Sequence, residues 1–121
     1  MIPKNIDART AARMQQEGAL LVDIRESGEL ARARIPNAHH HALSRLEVGD
    51  LPLGKDQPVI FFCAGGNRTA MNAARLAAKA NGAPAYLMQG GISAWHQSGL
   101  PIETGPSARE SAGIFTRLFG G

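Results

Sequence analysis

An α/β fold, with a central parallel sheet flanked by helices on both faces, is what the sequence predicts. Three features predict it. Apolar runs of strand length recur at residues 19–24, 59–62 and 85–88. Helix-forming stretches lie between and around them, so the chain reads as β and α in alternation. The connections are short, which suits parallel strands joined by right-handed crossovers. With 121 residues and 44% hydrophobic content, the chain has enough material for one domain with a real core. Residues 1–103 read as that domain, and 104–121 as a linker with a short apolar tail.

Each element has a local cause. Asp7 can cap a helix over residues 8–16, where Ala, Arg, Met and Gln are good helix formers, and Gly18 stops it. Residues 19–24 are apolar enough for a strand buried on both faces. Ser27 is placed to cap a short helix over 28–34. Ile35-Pro36-Asn37-Ala38 reads as a turn into an extended stretch at 38–40. Residues 43–48 suit a short helix, and the Gly, Asp and Pro of 49–58 a loop. Val59-Ile60-Phe61-Phe62 is β-branched and aromatic without a polar side chain, the clearest buried strand. An Ala-rich helix is expected over 69–81, a strand over 85–88, a turn at Gly90-Gly91 and a short helix over 92–97. Met14, Met71 and Met88 read as core fillers, and Trp95 as packing between the last helix and the sheet. Gly, Ser, Pro and Thr then mark a linker, followed by the apolar run 114–119.

Composition excludes several functions. The chain has one cysteine, Cys63. It can form no intramolecular disulfide and no four-cysteine metal site. Its 13 Lys+Arg against 10 Asp+Glu give +3, a mild excess without basic runs, which argues against nucleic acid as partner and leaves small anions open. There is no apolar signal stretch and no run near the ~20 residues of a membrane helix, so a cytoplasmic domain is expected. An apolar stretch after Gly121 would instead place it at the cytoplasmic face of the inner membrane, tethered by an anchor. His39-His40-His41 does not suggest a metal site, because neighbours on a strand point to alternate faces. No metal and no cofactor is expected.

The chemistry gathers between Cys63 and Arg68. A cysteine ending a buried parallel strand lies at the carboxyl edge of the sheet, where such folds build their sites. The next helix is expected to start just after Arg68, so its unpaired N–H groups would face the loop. A thiolate there is favoured over a thiol, and the thiolate is the nucleophile. Gly65 and Gly66 would let the loop curl at positive φ. Asn67 can cap the helix or hydrogen-bond the loop, and Arg68 can neutralise the thiolate and bind an anion. The alternative is an ordinary strand–turn–helix with a buried cysteine.

Cys63-Ala64-Gly65-Gly66-Asn67-Arg68-Thr69 resembles the active-site loop of the rhodanese (sulfurtransferase) family. Three further segments agree in order and spacing. Residues 21–26 with Glu29 resemble the family's D-x-R…E strand and helix. Arg34-Ile35-Pro36-Asn37-Ala38 resembles its H-I-P-G-A turn. Gln89-Gly90-Gly91-Ile92-Ser93-Ala94-Trp95, then Gly99-Leu100-Pro101, resembles its closing G-G-x-x-x-W…G-x-P motif. Arg34 replaces the family's frequent His, and Leu30 an aromatic. Ala64 stands where thiosulfate-selective members often carry a basic residue.

The resemblance implies a ping-pong sulfurtransferase. Cys63 takes a sulfane sulfur from a small anionic donor such as thiosulfate, and the persulfide is held by the loop 64–68. An external thiol, cyanide or a sulfur-accepting protein removes it, since no second cysteine can. It also implies that Asp23 and Arg25 are ion-pairing supports of the loop. Two other functions remain open: a persulfide-carrying or redox-responsive module with little turnover, and a cysteine-dependent phosphatase or arsenate reductase. Four residues separate Cys63 from Arg68. The related phosphatases and arsenate reductases have one more, giving the wider cradle a phosphoryl group needs. The loop also lacks an acid to protonate an alkoxide leaving group.

Overall fold

A computed structural model describes residues 2–105. Five parallel strands form the sheet: β1 (Lys4–Ile6), β2 (Leu20–Asp23), β4 (His39–His40), β5 (Val59–Phe62) and β6 (Ala85–Met88). Their order is β1-β6-β5-β2-β4, with Val22 beside Phe61 and Phe61 beside Leu87. The helices are α1 (Ala8–Gln16), α2 (Ser27–Leu30), α3 (Asn67–Met71), α4 (Ala73–Ala80) and α5 (Gly91–Gln97). A 3₁₀ turn covers Leu43–Arg45. An antiparallel ribbon joins β3 (Ala33–Arg34) to β7 (Glu103–Thr104).

The central strands are buried on both faces, as their unbroken apolar sequence predicts. Val59 and Phe61 pack with Val22, Ile24, Leu76 and Ala80 on the α4 side. Ile60 and Phe62 pack with Ala8, Ala11, Met88 and Trp95 on the side of α1 and α5. The alternation follows from the two-residue period of a strand. Trp95 is buried, and its indole N–H donates to the Pro101 carbonyl at 2.7 Å. Asp7 caps α1, accepting from the Thr10 amide at 2.8 Å.

Several elements differ from expectation. The cap of α2 is Glu26, not Ser27: Glu26 and Glu29 form a capping box, and the helix ends at Leu30. The chain then enters β3, where the Arg34 guanidinium meets the buried Glu103 carboxylate at 2.8 Å. That ion pair and the ribbon hydrogen bonds hold β3 and β7 together, and Thr104 belongs to the ribbon. The helix expected over 43–48 is a single 3₁₀ turn, followed by the buried Leu46. The helix expected over 69–81 starts two residues earlier, at Asn67. It breaks at Asn72 (φ −117°, ψ 22°), whose side-chain amide donates to the Arg68 carbonyl at 2.8 Å. Met71 is not a core filler: it lies 84% exposed, on a helix whose buried residue is Thr69. Met88 is fully buried and Met14 packs partly on the core.

Among the described residues no helix is long and apolar enough to cross a membrane. The apolar run 114–119 and most of the expected linker lie outside the described residues.

Candidate active site

All five strands of the sheet are parallel, so their carboxyl ends share one edge. Cys63 follows β5 directly at that edge and is 1% exposed. The chain curls through Ala64, Gly65 and Gly66 and enters α3 at Asn67. The curl brings the Gly66 amide to the Cys63 Sγ at 3.1 Å. The Thr69 hydroxyl stands 3.9 Å from the same sulfur and donates to the Gly66 carbonyl at 3.0 Å. Burial alone would push the Cys63 thiol up. The backbone N–H groups of Thr69, Gly66 and Arg68, with the Thr69 hydroxyl, outweigh it, and the thiol lies below its ordinary value. N–H dipoles aimed at sulfur stabilise the anion, which is how a thiol becomes a nucleophile.

What orients the loop comes from α5. The Ile92 amide donates to the Cys63 carbonyl at 2.9 Å, and the Ser93 amide to the Ala64 carbonyl at 3.1 Å. The loop's first two carbonyls are thus taken from outside, while later amides turn to the sulfur. This contact requires Gly91: a Cβ there would sit 2.2 Å from the Cys63 carbonyl oxygen.

The expected loop residues sort unevenly. Gly66 does have positive φ, 101°. Gly65 does not: it lies exposed, and a Cβ on it would meet nothing within 4 Å. Asn67 is exposed and is the first residue of α3, so Gly66 occupies the cap position and the side chain of Asn67 does not cap the helix. Arg68 lies inside α3 rather than before it. Its guanidinium makes a two-point ion pair with Glu29, each contact 2.8 Å. Glu29 is thereby pulled down to about 2, and Arg68 is raised. Gly66→Val is expected to cost about 1–3 kcal/mol, because a branched residue resists positive φ. Its Cβ would also press on the Gly90 amide at 3.1 Å. Urea unfolding measures that loss, and alkylation against pH should show the Cys63 thiol moving up.

Asp23 and Arg25 are buried at the same edge and pair with each other. The Arg25 Nη2 reaches Asp23 Oδ2 at 2.8 Å and the Ala33 carbonyl at 2.8 Å, so the buried charges are compensated and bonded. The three histidines do not gather at one point: the His39 and His41 rings stand 6.3 Å apart on one side of the strand, while His40 turns away from them. His40 Nε2 donates to the Arg25 carbonyl at 2.6 Å, His41 Nε2 to the Arg45 carbonyl at 2.9 Å. Two residues that touch the loop chemistry were not among the candidates, Thr69 and Glu29. Both stand within the motifs quoted above, but neither charge nor spacing alone ties them to the sulfur or to Arg68.

The sequence matches the rhodanese-like domain family over residues 7–98. It is 34% identical over 100 residues to the thiosulfate sulfurtransferase GlpE of Vibrio cholerae, covering 82% of this chain and 93% of that protein. It is 36% identical over 86 residues to a sulfurtransferase of Allochromatium vinosum, covering 71% and 79%. An uncharacterised Synechocystis protein matches at 34% identity, and the match spans 48% of its length. The crystal structure of a rhodanese-related protein from Thermoplasma volcanium superposes with a TM-score of 0.70 at 27% identity, covering 82% of this chain and 96% of that one.

Proposed function

The chain belongs to the rhodanese-like domain family, and from that premise we propose that it is a sulfurtransferase whose Cys63 carries the sulfur in transit. The observation that carries the proposal is the Cys63 Sγ held by the Gly66 amide at 3.1 Å, with the backbone N–H groups of Thr69 and Arg68 also favouring its anion. In the first step the thiolate attacks the outer sulfur of a donor such as thiosulfate. A new S–S bond forms on Cys63, the donor's S–S bond breaks, and sulfite leaves with the electron pair. The loop amides that held the thiolate can hold the persulfide anion. In the second step an external nucleophile, a thiol or cyanide, attacks the outer sulfur and returns Cys63 as thiolate. With one cysteine in the chain, the acceptor comes from another molecule. A small thiol or a sulfur-accepting protein fits this role, and a thiol-rich compartment such as the cytoplasm supplies it.

Thiocyanate formation from thiosulfate and cyanide tests the proposal directly. Turnover by the wild type that is lost in Cys63→Ser supports it. Ready persulfide formation, seen by mass spectrometry, with no turnover on any donor would overturn it in favour of a sulfur-carrying module. Aryl phosphate hydrolysis dependent on Cys63 would favour a phosphatase.

The thiol also predicts a pH profile. Only the thiolate reacts, so the rate of alkylation by iodoacetamide should rise with pH and level off. Because the thiol is lowered by its cradle, the midpoint should fall below that of the same cysteine in the urea-unfolded chain. A folded-state midpoint at or above that of the unfolded chain would remove the basis for an activated Cys63.

A further inference from the structure

Two ion pairs flank the Cys63 loop. Arg25 is spent on Asp23 in a buried contact of 2.8 Å. Arg68 is spent on Glu29, both terminal guanidinium nitrogens engaged. These are two cations against two carboxylates, and Ala64 beside the cysteine adds no charge. The second pair is held firmly. Glu29 Oε2 also accepts the Glu26 amide at 3.0 Å, which locks the carboxylate to the start of α2. Glu26 in turn accepts the Ser44 hydroxyl at 2.7 Å, tying that turn to the neighbouring segment. Arg68 sits close enough to feel the charge of Cys63. An anion approaching the sulfur therefore meets a guanidinium whose charge is largely matched by a carboxylate within one hydrogen bond.

We propose that Glu29 is a specificity-determining residue that acts through Arg68. By pinning and neutralising the guanidinium it turns the site away from doubly charged sulfur donors and toward donors of lower charge. As a statement about donors this rests on the sulfurtransferase function proposed above. As a statement about charge at Cys63 it does not, and the two can be tested apart. Glu29→Gln keeps the shape and a hydrogen-bond acceptor but removes the carboxylate charge.

The first measurement needs no sulfur transfer. Cys63 is alkylated with iodoacetate, an anion, and with iodoacetamide, its neutral counterpart. The rate ratio of anion to neutral should rise about 3- to 10-fold in Glu29→Gln at low salt, and the gain should shrink as salt screens it. Glu29→Asp, which keeps the charge, should stay near the wild-type ratio. In an Arg68→Gln background Glu29→Gln should still raise the ratio through its own charge, but by less, because no guanidinium is released toward the sulfur. An unchanged ratio in Glu29→Gln, or an equal rise with Arg68 already replaced, would overturn the proposal. If Glu29→Gln fails to fold, Arg68→Gln alone decides it. That variant leaves Glu29 uncompensated, so its ratio must fall below the wild type, and a ratio that does not fall refutes the proposal.

The second measurement reads donors. Methanethiosulfonate resembles thiosulfate with a methyl group in place of one charged oxygen. In Glu29→Gln, KM for thiosulfate should fall about 3- to 10-fold relative to methanethiosulfonate, with kcat for each nearly constant. A parallel change for both donors would show that Glu29 only supports the fold. Absence of turnover with either donor in the wild type would refute the sulfurtransferase function, while the alkylation ratio would still decide the role of Glu29.

Discussion

Cys63→Ser is expected to reduce sulfur transfer by at least about a thousandfold while leaving the fold in place. A serine hydroxyl stays protonated at neutral pH, and oxygen is a poor nucleophile toward sulfane sulfur. The replacement is close in shape, and Cys63 is buried with only 1% of its surface exposed. The new hydroxyl can still accept from the Gly66 amide and approach Thr69, so it is not left without partners. The stability change should be about 1 kcal/mol or less. Thiocyanate release and urea unfolding measured on the same preparation check both halves. Residual transfer at a tenth of the wild-type rate would mean that the sulfur travels elsewhere.

Gly91→Ala should be the most disruptive small substitution in the domain. The added methyl would stand 2.2 Å from the Cys63 carbonyl oxygen and 2.6 Å from that of Ala64, at φ +57°. Both neighbours are backbone, so nothing swings aside. Positive φ and overpacking together should cost about 3–5 kcal/mol. Relief requires α5 to move off the loop, which breaks the hydrogen bonds from Ile92 and Ser93. Transfer should therefore collapse even in protein that remains folded. Gly99→Ala is the control: φ is +80°, but a Cβ there meets nothing within 4 Å. It should cost about 1 kcal/mol and leave the kinetics alone. Equal behaviour of the two variants in unfolding and transfer would show that the contact of α5 with the loop is dispensable.

The core of the fold was legible because burial on two faces leaves a plain signature. Val59-Ile60-Phe61-Phe62 and Ala85–Met88 lie where the apolar runs end, and α1 runs from Ala8 to Gln16 as its cap and composition indicate. Of the short strands only β4 was legible, in the extended stretch expected after the Ile35-Pro36-Asn37 turn; β1, β3 and β7 were not. Lys4–Ile6 is polar at two of its three residues and becomes a strand only by pairing with β6. Arg34 and Glu103 form a ribbon because two segments distant in sequence meet with opposite charge. The position of Cys63 followed from the strand that ends before it. The partner of Arg68 did not, since Glu29 lies far upstream and is brought in by α2. Gly65 and Gly66 could not be told apart by composition, yet only one of them needs the left-handed backbone.

The grip of α5 on the loop also sets an order of events during synthesis. The two amides that take the Cys63 and Ala64 carbonyls belong to residues 92 and 93. β1, from the start of the chain, pairs with β6 near its end. Sheet closure and loop closure thus both wait for the last third of the domain to emerge, and such long-range pairings form slowly. A ribosome-bound chain halted before that point already holds the Gly66, Arg68 and Thr69 amides that favour the thiolate, but leaves the Cys63 and Ala64 carbonyls without the Ile92 and Ser93 amides that anchor the loop.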